Sequence, residues 1–206
     1  MLAEQYNGVV AGVPHEDVGS AKDAGEVVFV RTDITTDLLT SAYTFTQNTG
    51  GVGGSARAGN RFGASVSPFG VLAGAPGEDV GTAKDAGGVF VQTLPTAFGG
   101  NGCASKLLTQ GKGKALGGTA RSGDHLGRFI GTLTGAPARG SQRLDNLAVG
   151  APGKDATKAA NTGVAVVWNG KGKGVLKTFG YSGGAMKNQA YGSVFGALTV
   201  VPRVLS

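Results

Sequence analysis

The sequence predicts an all-β fold built from about three repeated four-stranded units. Three observations carry that expectation. Glycine stands out at 39 of 206 residues, with only 7 Pro. A loop-and-strand pattern returns along the chain. No stretch of useful length carries a helical apolar stripe, because Gly and Pro recur too often. Glycine normally makes up about 7% of a chain, and it takes positive φ in tight turns without a steric cost. There is no strict three-residue period, which excludes collagen.

The pattern itself is explicit. Pro14-His-Glu-Asp-Val-Gly-Ser-Ala-Lys-Asp-Ala-Gly25 precedes the strand-like Glu26-Val-Val-Phe-Val30. Pro76-Gly-Glu-Asp-Val-Gly-Thr-Ala-Lys-Asp-Ala-Gly87 precedes Gly88-Val-Phe-Val91, 62 residues on and without a gap. A weaker copy, Pro152-Gly-Lys-Asp-Ala-Thr-Lys-Ala-Ala-Asn-Thr-Gly163, precedes Val164-Ala-Val-Val167. A second element keeps step: Gly54-Ser-Ala-Arg-Ala-Gly-Asn-Arg-Phe-Gly63 matches Gly118-Thr-Ala-Arg-Ser-Gly-Asp-His-Leu-Gly127, with a degraded copy from Gly183 to Gly192. Thr46-Gln47 answers Thr109-Gln110. The units run over about 1–58, 59–122 and 123–187, with a partial one over 188–206.

In the second unit the expected strands are Arg61–Ser67, Val71–Ala75, Gly88–Thr93 and Ser105–Thr109. Each is short, rich in β-branched or aromatic residues, and bounded by Gly, Pro or Asp. Four short antiparallel strands per repeat is the make-up of a propeller blade. One blade alone leaves its faces bare, so copies must stack. The small Gly-Ala-Pro positions suit places where backbones approach closely.

Phe62-Gly63 with Gly74-Ala75-Pro76, and Leu126-Gly127 with Gly150-Ala151-Pro152, resemble the FG-GAP repeats of the integrin α-subunit N-terminal β-propeller and its bacterial relatives. Gly12-Val13-Pro14 stands in the second role in the first unit, and only Tyr191-Gly192 marks the fourth. The resemblance covers almost the whole chain. It implies a partial β-propeller of about three FG-GAP blades. It also implies an extracellular or cell-surface setting and an adhesive or scaffolding role toward a protein or glycan. Many members of that family carry a calcium loop of alternating carboxylates between the two motifs. Here the corresponding stretch is Ala138-Arg-Gly-Ser-Gln-Arg-Leu-Asp-Asn146, in which only Asp145 and Asn146 remain. The second unit drops the loop, so no metal and no other cofactor is expected.

Charge is uneven. Residues 1–103 hold 5 Lys/Arg and 10 Asp/Glu, and residues 104–206 hold 14 and 3. A basic half can attract anionic partners. No aromatic residues interleave with Lys112, Lys114, Lys171 and Lys173, so a stacking surface for single-stranded nucleic acid is not expected. The lone Cys103 cannot form an internal disulfide. Residues 1–13 show no basic start followed by an apolar run, so no signal peptide is expected in this chain. No run of about 18 apolar residues suggests a membrane-spanning helix.

Candidate sites each have a structural reading. The pairs Asp17/Asp23 and Asp79/Asp85 could hold a cation or sugar, but carboxylates in loops also bond nearby backbone N–H groups. Their repetition favours that second role. Gly180-Tyr-Ser182-Gly-Gly184 matches the nucleophile-elbow spacing, yet no Asp, Glu or His follows Ser182 to complete a triad. His15 and His125 are the only histidines and have no partners at zinc-ligand spacing. His125 aligns with Arg61 and is expected in an exposed loop. No P-loop glycine precedes a Gly-Lys pair at the right distance. Trp168 could stack on a sugar, but packing between blades is the expected role. No catalytic, cofactor-binding or metal residue is assigned, and the chain is not expected to be an enzyme. Two functional classes remain: a binding or scaffolding propeller, or the non-catalytic propeller portion of a larger secreted enzyme such as a hydrolase. Three units with a poor first strand at Leu2–Gln5 suggest part of a larger propeller, or a homodimer completed by the strand near Ser193–Val200.

Overall fold

The computed structural model describes residues 7–32, 39–67, 72–93, 104–111, 114–133, 146–155, 159–169 and 174–180. Among the described residues there is no helix, and eleven strands form three antiparallel sheets. The first sheet contains β1 (Asn7–Val13), β2 (Glu26–Thr32) and β3 (Leu39–Phe45). The second contains β4 (Ser65–Ser67), β5 (Leu72–Ala75), β6 (Gly88–Thr93) and β7 (Ala104–Leu108). The third contains β8 (Phe129–Leu133), β9 (Asn146–Ala151), β10 (Val164–Asn169) and β11 (Gly174–Gly180). Each sheet is a meander in which consecutive strands pair. Leu2–Gln5 and Ser193–Val200 lie outside the described residues.

Pairing register explains how the sheets stack. Residues directly opposite each other across an antiparallel pair share a face. Ala73 pairs with Phe90, and Phe90 with Leu107. Ala73, Ala75 and Phe90 form one buried cluster with Val27, Val52 and Phe62, with Val10 and Leu107 packed against it. On the opposite face Leu72, Val89 and Leu108 join Leu147, Val149, Ala151, Val164, Val166 and Trp168 of the third sheet. The second sheet is therefore covered on both sides, and all four residues of β5 are buried. In the first sheet Val27 and Phe29 are buried toward the second, whereas Val9 is 60% exposed on the other face.

The joints between sheets rest on glycine. A Cβ on Gly12 would lie 1.9 Å from the Gly63 carbonyl oxygen, and a Cβ on Gly74 would lie 1.9 Å from that of Gly127. Any side chain there would force the backbones apart. The motifs preceding the second and third sheets also hydrogen-bond to the loop of the sheet before. The amides of Gly59, Arg61 and Phe62 donate to Lys22, Asp23 and Ala24 at 2.8–3.0 Å, and those of Gly123, His125 and Leu126 donate to Lys84, Asp85 and Ala86 at 2.9–3.0 Å. Phe62 meets Phe90 edge-to-face with centroids 5.2 Å apart. Such a contact adds about 0.5–1.5 kcal/mol to the burial of the rings. The expected strand Gly88–Thr93 matches β6, while Arg61–Ser67 shortens to Ser65–Ser67. Arg61 to Ala64 instead form the turn that reaches across the joint, with φ of 53° at Arg61.

Candidate functional site at the Asp-loop end

The three repeated loops join β1 to β2, β5 to β6 and β9 to β10, so they sit at the same end of each sheet. Each is closed by a side chain. Asp17 Oδ1 accepts the Asp23 amide at 2.8 Å, and Asp79 Oδ1 accepts the Asp85 amide at 3.0 Å. Asp155 Oδ1 accepts the Asn161 amide at 2.8 Å. Asp23, Asp85 and Asn161 hold φ of 50°, 51° and 52°, a left-handed conformation that Asp and Asn tolerate. This geometry places the carbonyls of residues 23 and 85 where the next sheet's amides reach them. The first acid of each pair is thus a loop brace. Asp79 also takes a 2.6 Å ion pair from the exposed Lys84, which holds its carboxyl below the ordinary value.

The other candidates are dispersed. His15 Nδ1 lies 2.7 Å from Asp23 Oδ1 on an exposed surface. It stands where Gly77 and Gly153 stand in the following sheets, and a Cβ on either of those would lie 1.8 Å from a carbonyl oxygen. His125 is in a loop, as expected, but half-buried instead of exposed. The reason is its place in the joint: its amide bonds to Asp85 and its Nδ1 lies 3.2 Å from the Pro76 oxygen. Trp168 is buried between the second and third sheets, the packing role expected of it. Lys114 is exposed. Among the described residues there is no group of three or more His, Cys, Asp or Glu that could hold a metal ion. Ser182, Cys103, Lys112, Lys171, Lys173 and residues 138–145 lie outside the described residues.

Two buried polar clusters, one per joint, were not singled out as sites by the sequence. In the first, Gln47 Nε2 donates to Glu78 Oε2 at 2.7 Å and Asn60 Nδ2 donates to the same oxygen at 2.8 Å. Asn60 Nδ2 also lies 2.8 Å from Gln47 Oε1. Burial pushes the Glu78 carboxyl above its ordinary value and Asp79 adds to the shift, while the Gln47 bond and the Arg57 guanidinium oppose it. In the second cluster Lys154 Nζ bonds Asp124 Oδ2 at 2.6 Å, Gln110 Oε1 at 3.1 Å, and the Thr119 carbonyl. Asp124 Oδ2 also accepts the Arg121 amide at 2.9 Å. The sequence signal for these clusters is the recurrence of Thr-Gln together with the equivalent positions Asn60/Asp124 and Glu78/Lys154 of the two repeated segments.

No protein-family model matches the chain, and no curated protein matches it. At the surface of this end Lys84 is exposed on the second braced loop, and Arg57 and Arg121 are exposed on the segments whose amides bond to the first and second loops. Among the described residues no helix is long and apolar enough to cross a membrane.

Proposed function

We propose that the three sheets are successive blades of an FG-GAP-type β-propeller. On this reading the chain is a non-enzymatic binding or scaffolding module that meets a protein or glycan at the cell surface or outside the cell. One observation carries the reading: the same joint occurs twice, Gly12 on Gly63 and Gly74 on Gly127, with the same trio of backbone bonds crossing each. A constant step between like sheets is how a propeller is generated. Braced loops held at one end of rigid sheets are the usual place for a contact surface. On the face of the first sheet turned away from the second, Val9 is 60% and Val13 36% exposed, which is consistent with a further blade packing there.

Binding of the purified chain to a glycan array and to a panel of extracellular matrix proteins tests this. The expected result is a ligand whose binding is lost in the triple substitution Arg57→Ala, Lys84→Ala and Arg121→Ala with little change in melting temperature. Turnover of an ester or glycoside substrate that persists through purification, with no ligand found, would overturn it.

A further inference from the structure

The two joints meet the same structural demand with different charges. The third position of each cluster is placed identically: Glu78 N donates to Ala75 O at 3.1 Å and Gly87 N to Glu78 O at 2.8 Å, while Lys154 N donates to Ala151 O at 3.2 Å and Gly163 N to Lys154 O at 2.8 Å. The second position is placed identically too, with Gly77 N on Asn60 O and Gly153 N on Asp124 O, both at 3.1 Å. An acid at the third position is thus matched with a neutral amide at the second, and a lysine at the third with a carboxylate at the second. The first position is Gln in both, 1% exposed at Gln47 and 5% at Gln110. It is also the only one of the three that comes from the preceding sheet.

We propose that Gln47 and Gln110 are adapters that let one kind of sheet edge accept either an Asn–Glu or an Asp–Lys pair on the sheet that follows. Specificity lies in keeping that pair matched within itself. A primary amide both donates and accepts. Gln47 uses its donor toward Glu78, and Gln110 uses its acceptor toward Lys154. A charged residue at the first position could serve only one kind of pair. A mismatched pair would leave a buried charge without compensation, which is among the most costly defects in a fold. The inference is independent of any ligand the loops meet.

The decisive comparison is Gln47→Glu against Gln110→Glu, each in the full chain. Gln47→Glu sets a second carboxylate beside Glu78 and removes its donor. Its melting temperature at pH 7 should fall by about 10 °C. Most of that loss should return below about pH 5, where two neighbouring carboxyls share a proton. The charges facing this pair are those of Arg57 and Asp79, present in both proteins. Gln110→Glu keeps an acceptor for Lys154, whose charge offsets part of the new carboxylate beside Asp124, and should lower the melting temperature by about half as much or less. Separately, Asn60→Asp alone and Glu78→Lys alone should each destabilise the chain, and the two together should recover most of the loss. Where a single substitution does not fold, folding of the combined one supports the proposal. Equal losses at Gln47 and Gln110, a Gln47→Glu loss indifferent to acid, or a combined substitution no better than its worse component would overturn it.

Discussion

Replacing Gly74 with alanine isolates the contact that holds the second and third sheets at their observed spacing. The new Cβ would lie 1.9 Å from the Gly127 oxygen and 2.4 Å from Ser65 Oγ, where real Cβ contacts essentially never fall below 3.0 Å. The backbones must part by about 1 Å, a gap that forfeits roughly a quarter to a half of each dispersion contact across it. Overpacking of this kind costs about 1–3 kcal/mol. Displacing Ser65 Oγ from the Gly127 oxygen, a 2.7 Å bond, costs about 1 kcal/mol more. The sum, about 3 kcal/mol, corresponds to roughly 6–12 °C in melting temperature for a chain of this size. Urea unfolding followed by the fluorescence of Trp168, the single tryptophan and a member of this joint, reads it directly. Gly50→Ala is the control, because nothing lies within 4 Å of its Cβ position. It should change stability by less than about 0.5 kcal/mol. If Gly74→Ala unfolds at the same urea concentration as Gly50→Ala, the close-contact account of the joint is wrong.

Three further outcomes follow from the site geometry. Because burial raises the Glu78 carboxyl above its unfolded value, the folded state holds that proton more tightly. Its contribution is therefore full below the unfolded value and is lost as pH rises through the folded one. Urea midpoints of Glu78→Gln against the parent between pH 4 and 7 should show the parent losing relative stability as pH rises, and a constant difference would contradict this. The left-handed backbone at Asp85 should make Asp85→Val cost about 1–2 kcal/mol while Asp85→Gly costs less, read by thermal unfolding. Equal costs would refute the turn argument. Calorimetric titration with calcium should give no micromolar dissociation constant, since on the proposed FG-GAP reading the positions of the calcium loop carry Ala138, Gly140 and Gln142.

How much was legible varied with the range of the interaction. The Asp loops were readable because their chemistry is local: Asp79 and Asp85 are six residues apart, and one side chain braces the other's amide. The strand at Gly88–Thr93 was readable from β-branched and aromatic content between glycines. The start of the strand before Gly63 was not, because Arg61 and Phe62 have strand-like side chains but spend their amides on Asp23 and Ala24 of the preceding sheet. His125 is half-buried for the same reason, its amide being spent on Asp85. The polar clusters were invisible as sites because Gln47, Asn60 and Glu78 come from three separate segments, up to 31 residues apart. Only the folded joint brings them together.

Amide hydrogen exchange tests the stacking of the sheets most directly. The amides of Phe62 and Leu126 belong to no strand of any sheet, and their acceptors, Ala24 and Ala86, lie in the loop of the sheet before. If the joints hold the sheets together, these two amides exchange as slowly as the ladder amides of Val89 and Val166, because both open only with the core. Exchange of Phe62 and Leu126 at the rate of exposed loops, beside protected Val89 and Val166, would show that the sheets form without the joints and would contradict the account.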